Sequence, residues 1–172
     1  TEYGLFARSE NPLFRNVSPP LSYILPYEVV GALQHLGIAF INQNTEGISD
    51  SVEHEEIEML ARHANSGEQE ILQSRGALRQ RFGLTGNYLE NGARYYVDMS
   101  HPEYSTPEVT NPYDLLVAQK AGDRIVEQCR QYAEQSLRRR FNDANLTLHI
   151  YRNNSDGKGH SYAGHENYTL TP

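Results

Sequence analysis

Two polar segments, residues 91–108 and 151–168, constrain the fold of this 172-residue chain more than any other feature. Both combine Asp or Glu with His, Arg, Asn and several tyrosines, and both have glycine or proline at their bends. A packed core does not accept so many ionisable groups unless they are paired, and solvated loops rarely contain so many bulky aromatic side chains. The segments therefore predict a polar site built on strands, of the kind that holds a metal ion and an anionic ligand.

The composition narrows the classes of function open to the chain. The formal net charge of -7 argues against general binding to nucleic acid. No apolar run approaches the length of a membrane span and no signal-peptide pattern is present, so we expect a cytoplasmic protein without membrane contact. The single cysteine, Cys129, excludes an internal disulfide and falls at a position expected to be buried in a helix.

Helical patterns occupy two well-defined parts of the chain. A long helix is predicted over 111–141, with Thr110 or Asn111 as its cap. Its predicted buried face consists of Leu116, Ile125, Val126, Cys129, Tyr132, Ala133 and Leu137. Earlier in the chain, Pro26 fits the first turn of a short helix that ends at Gly37.

The remaining patterns predict an α+β fold with a mostly antiparallel sheet and packed helices. Residues 5–24 are loop-rich, with a Pro-Pro breaker near their end. Strands are predicted over 93–99 and 146–152, and an extended segment over 160–170. The length is typical of a single domain, residues 1–172.

Residues 40–88 are rich in charge and poor in apolar side chains. Two helices are predicted inside them, over 49–63 and 66–82, and Ser66 is placed to cap the second. A thin apolar face buries little surface, so we expect residues 40–88 to be a helical, mobile insertion.

The first polar segment places Arg94, Tyr96 and Asp98 on one face of a strand, since side chains alternate along a strand. Arginine can bind a phosphate with two hydrogen bonds, and aspartate can coordinate a hard cation, orient water or attack as a nucleophile. Glu103 returns towards Asp98, and Glu103 with Glu108 could complete a magnesium site. The alternative is a plain surface ion pair between Arg94 and Asp98.

The second polar segment contains a turn, Asp156-Gly157-Lys158-Gly159, followed by His165 and Glu166. The turn lacks the spacing and the terminal Lys-Ser/Thr of a phosphate-binding loop, and no second histidine completes a zinc-protease motif. Glu166 is the better candidate for a metal ligand. His165 is placed to contact a phosphate or orient a carboxylate, with a structural hydrogen bond as the alternative.

Read together, the two segments resemble the family of the Pup ligase and the Pup deamidase/depupylase, which are glutamine-synthetase-like enzymes of the bacterial proteasome tagging system. The matching residues are Glu2-Tyr3-Gly4, Asn91 to Glu108, Asn153-Asn154, Asp156-Gly157-Lys158-Gly159, Ser161-Tyr162 and His165-Glu166-Asn167-Tyr168. The resemblance implies that residues 1–172 are the N-terminal part of a glutamine-synthetase-like catalytic domain. Because one family metal ligand and the C-terminal nucleotide contacts would lie outside the chain, we expect it to be inactive alone.

The same resemblance implies a role for each matching side chain. Asp98 is the catalytic aspartate, and Glu2, Tyr96 and Glu103 lie at magnesium. The resemblance also implies that Arg94 and Thr106, both in the run from Asn91 to Glu108, contact ATP. ATP and Mg²⁺ are therefore the expected cofactors.

The resemblance also implies the substrate, Pup (the prokaryotic ubiquitin-like protein), and pupylated proteins. Two residues separate Asp98 from His101, as in the depupylase branch, whereas Thr106 resembles the ligase. The favoured activity is hydrolysis of the C-terminal glutamine side-chain amide of Pup, or of the Pup–lysine isopeptide bond, with ATP bound and not consumed at each turnover. The alternatives are a Pup–protein ligase that hydrolyses ATP, and a non-catalytic Pup-binding adaptor.

Overall fold

The computed structural model describes residues 1–11, 21–38, 40–42, 87–98, 101–152 and 164–169. The strands in these ranges are β1 (Gly4–Arg8), β2 (Phe40–Asn42), β3 (Asn87–Leu89), β4 (Arg94–Asp98), β5 (His101–Ser105) and β6 (Thr147–Tyr151). The helices are α1 (Leu21–Gly31), which continues into a 3-10 turn at Ala32–His35, and α2 (Pro112–Phe141). The α+β fold class is therefore confirmed. Neither helix has a stretch long and apolar enough to cross a membrane.

The strands form two antiparallel sheets that the first residues of the chain connect. One sheet has the order β2-β3-β4-β5, and the other pairs β1 with β6. The Tyr3 backbone N–H donates to the Pro102 carbonyl at 2.9 Å, and the Tyr104 N–H donates to the Thr1 carbonyl at 3.0 Å. Residues 1–3 thus lie along the outer side of β5 and bring Glu2 beside the polar part of the sheet.

Strand β5 is an element that the sequence patterns did not predict, since Pro102 at its second position argues against a strand. The Pro102 carbonyl points towards Tyr3, and the nitrogen of the same residue points to the same side of the strand. The missing N–H therefore removes no hydrogen bond between β5 and β4. This is the position at which a strand tolerates proline.

Helix α2 begins and ends as predicted. The Asn111 side chain accepts a hydrogen bond from the Asp114 backbone N–H at 2.9 Å, and Asn142, with φ of 47°, ends the helix in the left-handed conformation. Val126, Cys129, Ala133 and Leu137 are buried as predicted, and Ile125 and Tyr132 are partly buried. The prediction for Leu116 was wrong: its side chain is 56% exposed, the side chains of Tyr113 and Val117 in the same part of α2 are also exposed, and the buried face begins at Ala118.

Two earlier expectations also differ from the structure. Helix α1 begins at Leu21, so Pro26 lies inside it and not in its first turn. Residues 5–8 belong to β1, although residues 5–24 were predicted to be loop-rich. For α1, burial outweighs local preference, since the helix is mostly apolar and its last turns are buried against the sheet and α2. Residues 5–8 are extended because they pair with the distant strand β6. Gly37, with φ of 65°, follows the helical region as predicted.

The ends of the predicted insertion, residues 40–88, are strands. Phe40–Asn42 pairs with Asn87–Leu89 as neighbouring strands of the sheet. The helices predicted over 49–63 and 66–82 lie outside the described residues and stay a prediction. Of the extended segment predicted over 160–170, residues 164–169 are described, and they form no regular strand.

The reactivity of the Cys129 thiol reports how tightly α2 packs on the core. Its side chain is fully buried, and this burial raises the pKa of the thiol to about 12. Because thiolate is the reactive form, we expect Cys129 in the folded protein to resist alkylation at pH 8 and to react after unfolding in urea. Peptide mapping by mass spectrometry measures this directly. Rapid labelling of the folded protein would contradict the packing described here.

Candidate active site

Strand β4 has one face in the core and one face that carries polar groups. Tyr95 is fully buried, whereas Arg94, Tyr96 and Asp98 on the opposite face are partly exposed. This alternation confirms the predicted strand and its division into two faces. The sheet therefore holds a cation, a phenol and a carboxylate in one row.

Antiparallel pairing brings two glutamates to the same face as Asp98. Glu103 on β5 lies opposite Tyr96, and Glu2 forms an isolated bridge with Glu103 on the outer side of β5. One carboxylate oxygen each from Glu2, Asp98 and Glu103 lies within 4.8 Å of the other two. Adjacent backbone segments hold these three residues, so their clustering follows from the register of the sheet.

Glu103 is the most buried of the three, with 6% of its surface exposed. Burial raises the pKa of the Glu103 carboxyl. The nearby Tyr96 hydroxyl and the positive Thr1 amino group, 3.9 Å from Glu103, lower this pKa, whereas the smaller effects of the negative charges of Asp98 and Glu2 raise it. Repulsion among three close carboxylates is the electrostatic situation that a bound cation relieves.

Tyr96 connects the carboxylates to the rest of the polar face. Its hydroxyl lies close to the Glu103 carboxylate and the Ser105 hydroxyl, and partial burial raises the pKa of this phenol to about 12. Tyr96 is therefore protonated at neutral pH, and its hydroxyl is available to donate to Glu103. The role of Tyr96 at magnesium stays a prediction, but its hydroxyl touches one of the three clustered carboxylates.

Arg94 lies against two aromatic rings. Its guanidinium carbon is 4.1 Å from the centroid of the Tyr96 ring and 5.6 Å from the centroid of the Tyr88 ring. Tyr88 on β3 is the direct cross-strand partner of Arg94. The surface ion pair with Asp98 that the spacing allowed is not among the salt bridges of the described residues.

Tyr88 and Ser105 touch this face of the sheet and were not predicted as site residues. For Tyr88 a signal existed in the Asn91-Gly92 dipeptide, which is typical of a tight hairpin. Gly92 has φ of 84° and closes a turn in which the Leu89 N–H donates to the Ala93 carbonyl at 2.8 Å. A two-residue Asn91-Gly92 turn would place Leu89 opposite Arg94, and it is the additional loop residue Glu90 in the structure that places Tyr88 there.

The other predicted site residues are less closely grouped. His165 lies near the cluster, with its Nε2 atom 3.9 Å from a Glu2 carboxylate oxygen, although its side chain is 65% exposed. Thr106 is half-buried and directly follows β5. Glu166 is not brought to the three carboxylates: it is exposed, and it accepts a hydrogen bond from the Tyr168 hydroxyl at 2.7 Å. Of these two consecutive residues, only His165 therefore lies near the cluster.

The donor set suits a hard divalent cation. Magnesium prefers oxygen ligands and takes one or a few carboxylates together with water and phosphate oxygens. Glu2, Asp98 and Glu103 supply three carboxylates and no sulfur or imidazole ligand, which disfavours zinc. Glu108, the other possible magnesium ligand from the first polar segment, is exposed and does not belong to the cluster of three carboxylates. The residues present therefore fit magnesium on chemical grounds.

The sequence profile of a known protein family matches nearly the whole chain. The family described as Pup-ligase protein aligns with residues 1–171, which include every residue of the candidate site. The chain belongs to this family. The resemblance carried by the two polar segments is thereby confirmed.

The curated relatives that match this chain are named either as depupylases or as Pup–protein ligases. A depupylase from Acidothermus cellulolyticus is 50% identical over 89 residues, which are 51% of this chain and 16% of that protein. A Pup deamidase/depupylase from Mycolicibacterium smegmatis is 43% identical over 89 residues, covering 52% and 17%. A Pup–protein ligase from Bifidobacterium adolescentis is 42% identical over 87 residues, covering 50% and 18%. The chain thus spans less than a fifth of the length of these relatives.

Proposed function

We propose that the full-length protein containing this chain is a Pup deamidase/depupylase that depends on ATP and Mg²⁺. The observation that carries the proposal is the cluster of Glu2, Asp98 and Glu103 on the polar face of the sheet. Membership of the Pup-ligase protein family supports Pup and pupylated proteins as the substrates.

In this proposal the carboxylates of Glu2 and Glu103 hold magnesium, and Asp98 lies beside them with its carboxylate left for the reaction. Arg94 and Thr106 contact the nucleotide. Bound magnesium supplies positive charge that stabilises developing negative charge on oxygen. Tyr96 keeps Glu103 in place through its hydroxyl. His165, 3.9 Å from Glu2, orients that carboxylate.

Asp98 carries the chemical step of the proposed reaction. The Asp98 carboxylate takes a proton from water, whose oxygen forms a bond to the amide carbonyl carbon. The C–N bond then breaks, and the nitrogen leaves with a proton as ammonia, or as the amine of the substrate lysine. Direct attack by the Asp98 oxygen on the same carbonyl carbon gives an anhydride, which water opens to the same products.

The length of the β4–β5 connection favours the hydrolase over the ligase. Asp98 and His101 are directly paired across the two strands. The two residues between them resemble the spacing of the depupylase branch, whereas Thr106 resembles the ligase. The ligase is the second candidate, since a Pup–protein ligase also aligns with half of the chain. Both activities need the same carboxylates and arginine, so the cluster itself does not separate them.

The test is a product analysis with the full-length protein, Mg²⁺ and ATP. One sample contains Pup ending in glutamine, and the other contains Pup ending in glutamate together with a lysine-bearing protein. Deamidation of the first sample without net formation of ADP, read by intact mass, is the expected result. A Pup–protein conjugate with stoichiometric ADP would establish the ligase, and binding of Pup without either product would indicate the adaptor.

Replacing Glu103 by Gln tests the metal site. The substitution keeps the shape of the side chain and removes one of three clustered charges, so we expect weaker Mg²⁺ binding and a Mg²⁺ requirement for turnover raised about tenfold or more. Titration calorimetry of the full-length protein measures the affinity. The matched control is Glu108→Gln, because Glu108 is exposed and lies outside the cluster. Equal Mg²⁺ affinity in both variants would exclude Glu103 as a ligand.

A further inference from the structure

Tyr88 lies directly beside Arg94 in the sheet, although neither the family pattern nor the chemistry of the reaction assigns it a role. The two residues are cross-strand partners on β3 and β4. Directly opposed residues of antiparallel strands point to the same face, so the Tyr88 side chain lies on the polar face together with Arg94 and Tyr96. Tyr88 is half-buried there.

The Arg94 guanidinium contacts the rings of Tyr96 and Tyr88, at 4.1 Å and 5.6 Å from the two centroids. Both distances are within the range in which an aromatic ring attracts a cation. A free arginine side chain has many rotamers, and contact with two rings restricts them before any ligand arrives. The two tyrosines therefore hold a guanidinium in place on the face of the sheet that also carries the carboxylate cluster.

Each ring is itself held by the surrounding structure. Tyr96 is half-buried and pairs directly with Glu103 on β5, so the register of the two strands fixes the position of this ring. Tyr88 is held by the hairpin between β3 and β4, in which the Gly92 N–H donates to the Leu89 carbonyl at 2.9 Å and the Ala93 N–H donates to the Asn91 side chain at 3.0 Å. A rigid hairpin gives the second ring a defined position against Arg94.

We propose that Tyr88 is a positioning residue for nucleotide binding, which acts by holding the Arg94 guanidinium in the orientation that receives a phosphate group. A guanidinium binds phosphate best through two parallel hydrogen bonds, so its orientation determines its affinity for phosphate. This inference rests on the proposed contact between Arg94 and ATP. It adds Tyr88, from outside both polar segments, to the residues that determine nucleotide affinity.

The experiment measures binding of a non-hydrolysable ATP analogue with Mg²⁺ to the full-length protein by calorimetry. Tyr88→Leu removes the ring and keeps an apolar side chain, and we expect it to weaken binding about three- to tenfold. Tyr88→Phe keeps the ring and is expected to restore most of the affinity. Tyr113→Leu is the control, because Tyr113 is 73% exposed at the start of α2.

A double-mutant cycle separates positioning from a general effect on the sheet. In an Arg94→Gln background, Tyr88→Leu should change the affinity for the nucleotide very little, since the group that it positions is gone. Equal losses in both backgrounds would overturn the proposal, even if Tyr88→Leu lowers the melting temperature. Unchanged affinity in Tyr88→Leu alone would also overturn it, while leaving the proposed function intact. Failure of the wild-type protein to bind the analogue would overturn both.

Discussion

Replacing Asp98 by Asn in the full-length protein is expected to lower turnover on the order of a thousandfold or more. The amide has nearly the same shape as the carboxylate, but it neither takes a proton from water nor attacks a carbonyl carbon. It also removes one of the three charges that cluster with Glu2 and Glu103. The measurement is the initial rate of deamidation of Pup ending in glutamine, read by intact mass.

Asp114→Asn is the matched control for that substitution. Asp114 is exposed in the first turn of α2 and contacts the side chain of its capping residue, Asn111. We expect this control to keep the wild-type rate, since the change affects only a surface contact of α2. Binding of Pup by the Asp98→Asn variant, with turnover lost, would agree with a catalytic role. A rate close to that of the wild type would remove Asp98 from the mechanism and favour the adaptor.

Replacing Gly122 by Ala is expected to destabilise the domain by about 3 kcal/mol. A Cβ atom at Gly122 would clash with Cε1 and Cδ1 of the Tyr104 ring. Tyr104 is fully buried beside Glu103, so the ring has no room to move away. At an exposed helix position the same change would stabilise by about 1 kcal/mol, and the clash reverses the sign.

Hydrogen exchange and thermal unfolding of the full-length protein measure the effect of Gly122→Ala. We expect faster exchange in α2 and β5, because the helix must move away from the strand that carries Glu103. The control is Gly164→Ala, since an added Cβ at Gly164 meets no atom within 4 Å. Protection of β5 equal to that of the wild type would mean that the close approach of Gly122 and Tyr104 is not required.

Elements with strong local signals were predicted from the sequence alone. The long helix has a side-chain cap at Asn111 and apolar residues at helical spacing, and both act within a few residues of chain. Strand β4 shows clear alternation of polar and apolar side chains. Such features need no knowledge of the neighbouring elements, which explains why their predicted bounds agree with the structure.

Elements whose stability comes from distant partners were missed or misplaced. Strand β5 contains proline, and it forms because residues 1–3 and β4 pair with its two sides. Helix α1 contains Pro26 and is stabilised by burial against the sheet and α2. In both cases tertiary contacts outweigh the local preference of a proline residue.

For the candidate site, the sequence by itself determined the chemical inventory and the row of Arg94, Tyr96 and Asp98, because alternation along a single strand is a local property. The family also followed from residue identities at short spacings. Only the tertiary structure decided which groups meet: Glu2 joins Asp98 and Glu103 through strand pairing, Tyr88 faces Arg94, and Glu166 lies apart. Contacts between distant parts of the chain depend on sheet register, which is set by the packing of all elements together.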